Sequence, residues 1–198
     1  MIGLQNQLNA LSVAAKRLGL TVNLNKSKVM VFRKGGYLAA KERWFMVDQN
    51  LEVVNTYKYL GLIFFLLDSF TAAMEDIAIR AKKGRIEILR TLKKIGCNSR
   101  VIFFFFFFFL KLFDAQIIPT LLYAAEIWGY KMYEQIERVH LFACKRVLLV
   151  RNKTPNDVVY GELGRYPLFI PATVRFVKYW LKLLKQITLT QRNRTKCY

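Results

Sequence analysis

The fold of this chain is decided by two short segments, Gly19-Leu-Thr-Val-Asn-Leu-Asn-Lys-Ser-Lys-Val-Met-Val-Phe32 and Tyr57-Lys-Tyr-Leu-Gly61. In the first, apolar residues rich in valine stand on both sides of a polar turn at residues 25–28, which predicts β-structure around that turn. The second lies within residues 44–65, where apolar runs separated by short polar turns also predict strands. We therefore expect a small antiparallel β-region in the first third of the chain.

A helix is predicted in front of these strands. Apolar residues recur at spacings of three and four over residues 4–18, which is typical of an amphipathic helix. Gly19 is expected to end it, because glycine enters the left-handed backbone region without a steric penalty. The apolar stripe consists of Leu4, Leu8, Leu11, Ala15 and Leu18.

The pattern becomes helical after residue 67. Asp68 or Ser69 is expected to cap a long helix that ends near Gly96. Its apolar and basic residues repeat at steps of three and four, so one face is expected to be buried and another to be basic. The apolar face is Met74, Ile77, Ala81, Ile88, Leu92 and Ile95, and the basic face is Arg80, Lys83, Arg90 and Lys94 with the acidic Glu87 among them.

Further helices are predicted in the second half. Residues 111–128 are mostly apolar, and Pro119 is expected to bend or restart the helix because proline lacks the backbone donor. A helix over 132–149 is expected to bury an apolar stripe and to carry Arg138, Lys145 and Arg146 outside. The buried stripe consists of Ile136, Val139, Ala143 and Val147.

Residues 153–157 and 160–167 are interpreted as turns or linkers. Residues 172–189 are predicted to form the last helix, in which an apolar row opposes a basic row. The apolar row is Val174, Val177, Leu181, Leu184 and Ile187, and the basic row is Arg175, Lys178, Lys182 and Lys185. The fold class that follows is α+β.

The charge of the chain favours a polyanionic partner. The 198 residues include 32 Lys+Arg and 13 Asp+Glu, which gives a formal net charge of +19. Because the positive charge recurs along the helices, we expect RNA or an RNA–DNA hybrid, bound through its phosphates, ahead of an anionic membrane. The three scattered cysteines predict neither disulfides nor a zinc site, and the start of the chain lacks a signal-peptide pattern. A nuclear or cytoplasmic chain is expected.

Candidate catalytic groups are few. The sequence contains no Asp-Asp pair that could hold the two metal ions of a polymerase. The neighbours Glu75 and Asp76 diverge on a helix, and charge complementarity at the helix start explains them. The single histidine, His140, has no evident nucleophile or orienting acid. No metal site and no catalytic group are therefore assigned.

Four segments together resemble the reverse transcriptases of non-LTR, LINE-type retrotransposons. They are Gly19–Phe32, Tyr57–Gly61, residues 111–128 with their Tyr-x-x-Glu-Ile-Trp ending, and residues 161–168, and they follow the order of that family. The resemblance implies a palm remnant over 1–66, a mainly helical thumb over 67–150 and a post-thumb connector over 151–198. Ala124-Ala125 departs from it, because the family usually has a glycine in this stretch.

The resemblance also implies roles for single residues. Lys26 matches a lysine proposed to donate a proton to the leaving pyrophosphate, with Ser27 in place of the usual threonine, so it is a candidate vestigial proton donor. The hairpin that matches the primer grip comprises Tyr57, Tyr59, Leu60 and Gly61. The family uses magnesium held by Tyr/Phe-x-Asp-Asp, a motif expected upstream of Met1, so no cofactor is expected in this chain.

The leading hypothesis is a reverse-transcriptase fragment that is inactive alone and binds nucleic-acid backbone. Its expected binding residues are Arg80, Lys83, Arg90, Lys94, Lys178, Lys182 and Lys185. One alternative is a segment of an active RNA-directed DNA polymerase whose catalytic palm lies upstream. Another is a basic membrane-associated protein anchored by the run Phe103–Phe109, although the apolar stretch 101–110 is about half the length that a spanning helix needs.

Overall fold

The computed structural model describes residues 2–32, 43–47, 49–65, 70–94 and 108–194. The chain divides into two compact units, Met1–Ala72 and Ala73–Tyr198. The first contains one helix and small β-pairs, and the second is helical. The fold is thus mixed α+β and mostly helical, as the sequence predicts. The finer division at 66/67 and 150/151 stays a prediction.

Short elements build the first unit. Its strands form two antiparallel pairs, β2 with β3 and β5 with β6, and one parallel pair, β1 with β4. The expectation of antiparallel pairing is therefore wrong for β1, whose Lys28 and Val29 lie beside Glu52 and Val53. The elements are α1 (Ile2–Arg17), β1 (Lys28–Val29), β2 (Phe45–Met46), β3 (Gln49–Asn50), β4 (Glu52–Val53), β5 (Thr56–Tyr59) and β6 (Leu62–Phe65).

The β-structure expected before the polar turn is absent, since residues 20–23 form no strand. Asn23 is the physical reason. Its side-chain Oδ1 accepts from the Lys26 N–H at 3.2 Å, and its carbonyl accepts from the Ser27 hydroxyl at 2.9 Å. Such local bonds compete with a strand ladder. Val22 of this stretch still packs, together with Leu8, Leu24, Val31 and Val53, on a core of Val29, Trp44, Met46 and Leu51, whereas Leu20 is exposed.

Helix α1 ends as predicted at Gly19. The Leu20 N–H donates to the Ala15 carbonyl at 2.9 Å, and the Gly19 N–H donates to the Lys16 carbonyl at 3.2 Å. Gly19 has a φ of 65°. These two bonds and the left-handed residue form a Schellman motif, which satisfies carbonyls at the end of the helix.

Helices build the second unit, and none of those in the described ranges is long and apolar enough to cross a bilayer. The residues between α3 and α4, Phe113–Ile117, form a π-helical turn. The helices are α2 (Thr71–Lys94), α3 (residues 108–112 described), α4 (Ile118–Leu121), α5 (Ala125–Trp128), α6 (Glu134–Val147), α7 (Asn156–Leu163) and α8 (Phe169–Arg194).

The predicted core face of α2 is confirmed. Its apolar residues are at most 5% exposed: Met74, Ile77, Ala81, Ile88 and Leu92. The expected end groups Asp68, Ser69 and Gly96, and the last stripe residue Ile95, lie outside the described residues. The predicted turn residue Asp48, before β3, also lies outside the described residues.

The predicted restart at Pro119 is confirmed. Pro119 stands near the start of α4, and the π-helical turn precedes it. The Ile118 N–H bonds to the carbonyl of Phe113, five residues earlier. Because proline has no N–H to donate, its place in the first turn of a new helix leaves no internal hydrogen bond unmade.

Helix α6 confirms its apolar stripe and corrects one basic residue. Ile136, Val139 and Ala143 are buried as predicted and Val147 is only half-buried, but Lys145 is buried as well, at 9% exposed. Its Nζ donates to the Asn152 carbonyl at 2.7 Å. A lysine in the last turn of a helix can reach carbonyls beyond that end while its stem packs on apolar surface.

The interpretation of 160–167 as a linker is wrong for its first four residues, and that of 153–157 for its last two, because α7 spans Asn156–Leu163. Gly164 ends this helix at a φ of 59°, and the Arg165 N–H donates to the Tyr160 carbonyl at 2.9 Å. This is a second Schellman motif. Its left-handed glycine turns the chain directly before Arg165.

Helix α8 is longer than predicted, and only its first turns are packed. Ala172 is fully buried, and a methyl group on Gly129 would lie 2.4 Å from the Ala172 carbonyl oxygen. The Thr173 hydroxyl donates to the Gly129 carbonyl at 2.9 Å. The predicted apolar row farther along is 45–60% exposed, at Val174, Val177, Leu181, Leu184 and Ile187.

The phenylalanine run is described only at its end, because residues 103–107 lie outside the described ranges. Phe108 is 50% exposed, whereas Phe109 is 2% exposed and contacts the ring of Phe113 at a centroid distance of 6.1 Å. The two described members therefore face in different directions, as expected of consecutive residues on a helix.

Candidate nucleic-acid interface

The turn that contains Lys26 and the hairpin that contains Tyr57–Gly61 contact each other. The hydroxyl of Tyr57, on β5, donates to the carbonyl of Lys26 at 3.3 Å. The Lys26 side chain itself is exposed. The turn that carries Lys26 therefore lies against one strand of the predicted primer-grip hairpin.

The tip of that hairpin is a two-residue turn. Tyr59 pairs with Leu62, and Leu60 and Gly61 between them have φ values of 47° and 84°. Positive φ at both central residues is the geometry of type I′ turns, in which asparagine and glycine are favoured and leucine is not. Tyr59 and Leu60 are 58% and 73% exposed. Tyr59, Leu60 and Gly61 thus form a strained tip, whereas Tyr57 lies farther along β5, paired with Phe64.

The hairpin unit holds no group suited to metal catalysis among the described residues. No cluster of three or more His, Cys, Asp or Glu side chains able to hold a metal occurs in the described part of either unit. Glu52 pairs with Lys28 across the parallel strands. The residues present therefore do not fit the two-magnesium site of a polymerase, and we derive no chemical step through it.

The arginines predicted on α2 are compensated by neighbouring groups. An Arg80 nitrogen lies 3.1 Å from an Asp76 carboxylate oxygen, and its guanidinium lies 6.0 Å from the centroid of the Tyr123 ring. Arg90 pairs with Glu87 at 2.6 Å. The other two predicted residues, Lys83 and Lys94, are exposed. Part of the positive charge of α2 is thus already balanced within the helix.

The lysines predicted on α8 are not balanced in this way. Lys178, Lys182 and Lys185 are exposed, and none of them has a carboxylate partner among the described side chains. Their spacing of four and three places them on one face of the helix. The helix contains no acidic residue along its whole length. We call this face, with Arg175 at its start, the basic stripe.

A groove of about 620 Å³ runs beside the basic stripe. Arg175 and Lys178 line it from α8, and Arg165 and Asp114 line it from the other side. Arg165 donates both terminal nitrogens to the Asp114 carboxylate, at 2.8 and 2.6 Å. Burial alone would lower the pKa of Arg165, but the hydrogen bonds and charge of Asp114 raise it overall. Arg165 therefore lines the groove as a charged side chain, and Asp114 balances its charge.

A buried polar cluster, which no sequence pattern predicted, lies beneath this groove. Glu137 accepts hydrogen bonds from the Tyr160 hydroxyl and, at 2.9 Å, from the Leu168 N–H directly before α8. His140 Nδ1 lies 3.4 Å from the same carboxylate, and the ring is 2% exposed. Burial and, next, the bond to Glu137 raise the pKa of Tyr160. An orienting acid for His140 therefore exists.

The spacing of Glu137 and His140, three residues apart on one helix, is the signal that could have revealed this pair. The cluster has no exposed nucleophile. Cys144, on the same helix, is fully buried, and burial raises its pKa to about 11. A buried thiol of raised pKa is a poor nucleophile at neutral pH. The cluster holds α6, α7 and the start of α8 together.

No protein-family model, curated protein or solved structure matches this chain. The first unit has an exposed hairpin tip. The second unit has an uncompensated basic stripe beside an open groove. The basic stripe of the second unit is suited to contacting a polyanion. Neither unit, in its described residues, contains a cluster of three or more His, Cys, Asp or Glu side chains that could hold a metal.

Proposed function

We propose that this chain is the C-terminal fragment of a retrotransposon-derived reverse transcriptase that binds nucleic-acid backbone without polymerising alone. The observation that carries the binding proposal is the basic stripe of Arg175, Lys178, Lys182 and Lys185 on a helix without acidic residues. Exposed cations at a spacing of one helical turn are suited to contacts with successive phosphates. The order of the four family-like segments supports the assignment to reverse transcriptases.

The partner in this proposal is RNA or an RNA–DNA hybrid. Backbone contacts of this kind are independent of base sequence and release counterions, so affinity should fall steeply with salt. Binding of a fluorescent RNA–DNA hybrid between about 50 and 200 mM salt tests the proposal. For three or more phosphate contacts, the slope of log K against log salt is expected to be about −2 or steeper. A flat response would contradict backbone binding.

Activity is tested separately by templated primer extension with magnesium and all four nucleotides. The proposal predicts no extension by this chain, because its sequence contains no Asp-Asp pair. Extension above a no-enzyme control would overturn the inactive assignment while leaving backbone binding intact.

The second candidate is a segment of an active RNA-directed DNA polymerase. The contact between Tyr57 and the turn of Lys26 favours it, since that contact joins the two segments that would lie near a primer end. If an upstream reading frame supplies a Tyr/Phe-x-Asp-Asp palm, the joined protein is expected to extend a primer. A Lys26→Ala variant of the joined protein would then test the proton-donor role.

A further inference from the structure

A row of aromatic rings on and beside α8 meets the basic stripe at one end, Tyr179. Tyr130, in the loop after α5, contacts Phe176 at a centroid distance of 5.7 Å. Phe176 contacts Trp180 at 5.9 Å, and Trp180 contacts Tyr179 at 6.4 Å. We call these four residues the ring row. They form one continuous aromatic surface on the second unit.

The ring row is exposed where an aromatic cluster is ordinarily buried. Tyr130, Tyr179 and Trp180 are 47%, 42% and 48% exposed. The other two tryptophans of the chain, Trp44 and Trp128, are at most 5% exposed. A cluster of exposed rings on a soluble surface is typical of a binding site.

The position of the ring row relative to the lysines indicates what it binds. Tyr179 lies four residues after Arg175 and three before Lys182, so its ring adjoins the basic stripe on the helix surface. Proteins that bind single-stranded nucleic acid combine these two features, because bases stack on aromatic rings while cations follow the phosphates.

We infer that the ring row and the basic stripe together bind unpaired nucleotides of an RNA or DNA strand. This inference rests on the proposed function and specifies the form of nucleic acid that α8 takes. Phosphates contact Lys178 and Lys182, and unpaired bases stack on Tyr179 and Trp180. A duplex cannot supply these contacts, because its bases are already stacked.

Charge complementarity favours this occupant over a second copy of the chain. Two copies meeting through this face would bring together acid-free helices that each carry the four cations of the basic stripe. A polyanion meets the same cations with opposite charge. An anionic bilayer would also meet these cations, and it would bury the aliphatic row around Leu181 and Leu184 together with the rings, so binding to anionic vesicles is measured as a separate outcome.

The test compares three ligands: a blunt RNA–DNA hybrid, the same hybrid with an unpaired overhang, and one with an abasic overhang of equal length. The abasic strand keeps the phosphates and lacks the bases. The wild-type chain is expected to bind the overhang with bases about 10-fold more tightly than the abasic one. Fluorescence of Trp180, the exposed tryptophan, should be quenched only by the strand with bases.

Three variants sharpen the test. Trp180→Phe is expected to keep the preference for bases and to lose most of the quenching, because phenylalanine still stacks. Trp180→Leu is expected to lose the preference, since it keeps apolar surface but no ring. Leu181→Ala is the matched control on the same helix and should keep both. Binding of the blunt hybrid should be unchanged in all three variants.

Equal affinity for the two overhangs, with retained binding of the blunt hybrid, would overturn the stacking inference and leave the proposed function standing. Absence of binding to every ligand would refute both. If Trp180→Leu keeps the base preference, or if it lowers only self-association or binding to anionic vesicles, the ring row belongs to another partner and the inference is wrong.

Discussion

Helices α2 and α8 have the same pattern of apolar and basic residues but lie in different environments. Both alternate apolar and basic residues at steps of three and four. In α2 the apolar residues of the predicted core face are buried, and two arginines are paired with acids. In α8 the five residues of the predicted apolar row and the three lysines of the basic stripe are exposed. An amphipathic pattern thus specifies which face can be buried and does not guarantee a partner for it.

The difference follows from what each helix has beside it. Gly84 of α2 lies against Ile117 of the π-helical turn, and the Arg85 guanidinium lies 3.9 Å from the centroid of the Phe142 ring on α6. Helix α8 packs through its first turns against α5, which is four residues long. At 1.5 Å per residue, 26 residues span about 39 Å, which is far more than α5 can cover. The exposed remainder carries the proposed interface.

The largest expected effect comes from a matched pair of leucines. Leu92→Ala, in α2 at 1% exposure, should lower the free energy of unfolding by about 2–5 kcal/mol, because it removes buried methyl groups and leaves a cavity. Leu184→Ala, in α8 at 56% exposure, should change it by less than about 0.5 kcal/mol. Urea unfolding measures both. Similar losses at the two positions would mean that α8 is packed along its length.

The junction of α5 and α8 is tested by two glycines. Gly129→Ala should destabilise the protein by about 1–3 kcal/mol, because the added methyl group meets the Ala172 carbonyl. Gly161→Ala, in α7 with open space around it, should stabilise by up to about 1 kcal/mol through helix propensity. Thermal unfolding distinguishes them. If Gly129→Ala leaves the unfolding temperature unchanged, α8 is not held against α5.

Alkaline pH should destabilise the core around α6. The pKa of Cys144 is raised from 9.0 to about 11 by burial, so the native state keeps a proton that the unfolded state loses. The free energy of unfolding should therefore fall as pH rises from 9 to 11, by at most about 1.4 kcal/mol per pH unit from this group. Cys144→Ala should remove that part of the slope, and an unchanged slope would contradict the assignment.

A smaller effect is expected at the turn before α5. Ala124 has a φ of 55°, in the left-handed region where a side chain is unfavourable. Ala124→Gly should raise the free energy of unfolding by about 0.5–1 kcal/mol. Ala125→Gly, in the adjacent helix, should lower it by about 1 kcal/mol. If both variants lose stability, Ala124 is not strained and the turn has another conformation.

Sequence patterns predicted those parts of the fold that depend on local residues. The stripe of α2, the Gly19 end of α1 and the restart at Pro119 each follow from spacing or from backbone chemistry. The parallel pairing of β1 with β4 could not be predicted, because it joins residues 24 positions apart through two-residue strands. The burial of Lys145 depends on the Asn152 carbonyl, whose position only the folded loop determines.

The candidate site also contains features that follow from local spacing and features that depend on contacts between distant residues. The spacing of Lys178, Lys182 and Lys185 predicted a shared face, and their exposure agrees with it. Arg80 and Arg90 stand four and three residues after their acidic partners, so both pairings could have been predicted from the sequence. The ring row could not be found from spacing alone, because Tyr130 belongs to another segment and meets Phe176 only in the folded chain.

In the proposed function, the uncompensated cations of α8, more than the paired arginines of α2, bind nucleic-acid phosphates. Salt dependence of RNA–DNA hybrid binding by two matched double variants tests it most directly. Lys178→Gln with Lys182→Gln should reduce the magnitude of the log–log salt slope by about 1.5–2, whereas Arg80→Gln with Arg90→Gln should change it by less than about 0.5. Equal losses of slope in the two variants, or none in the α8 variant, would contradict the claim.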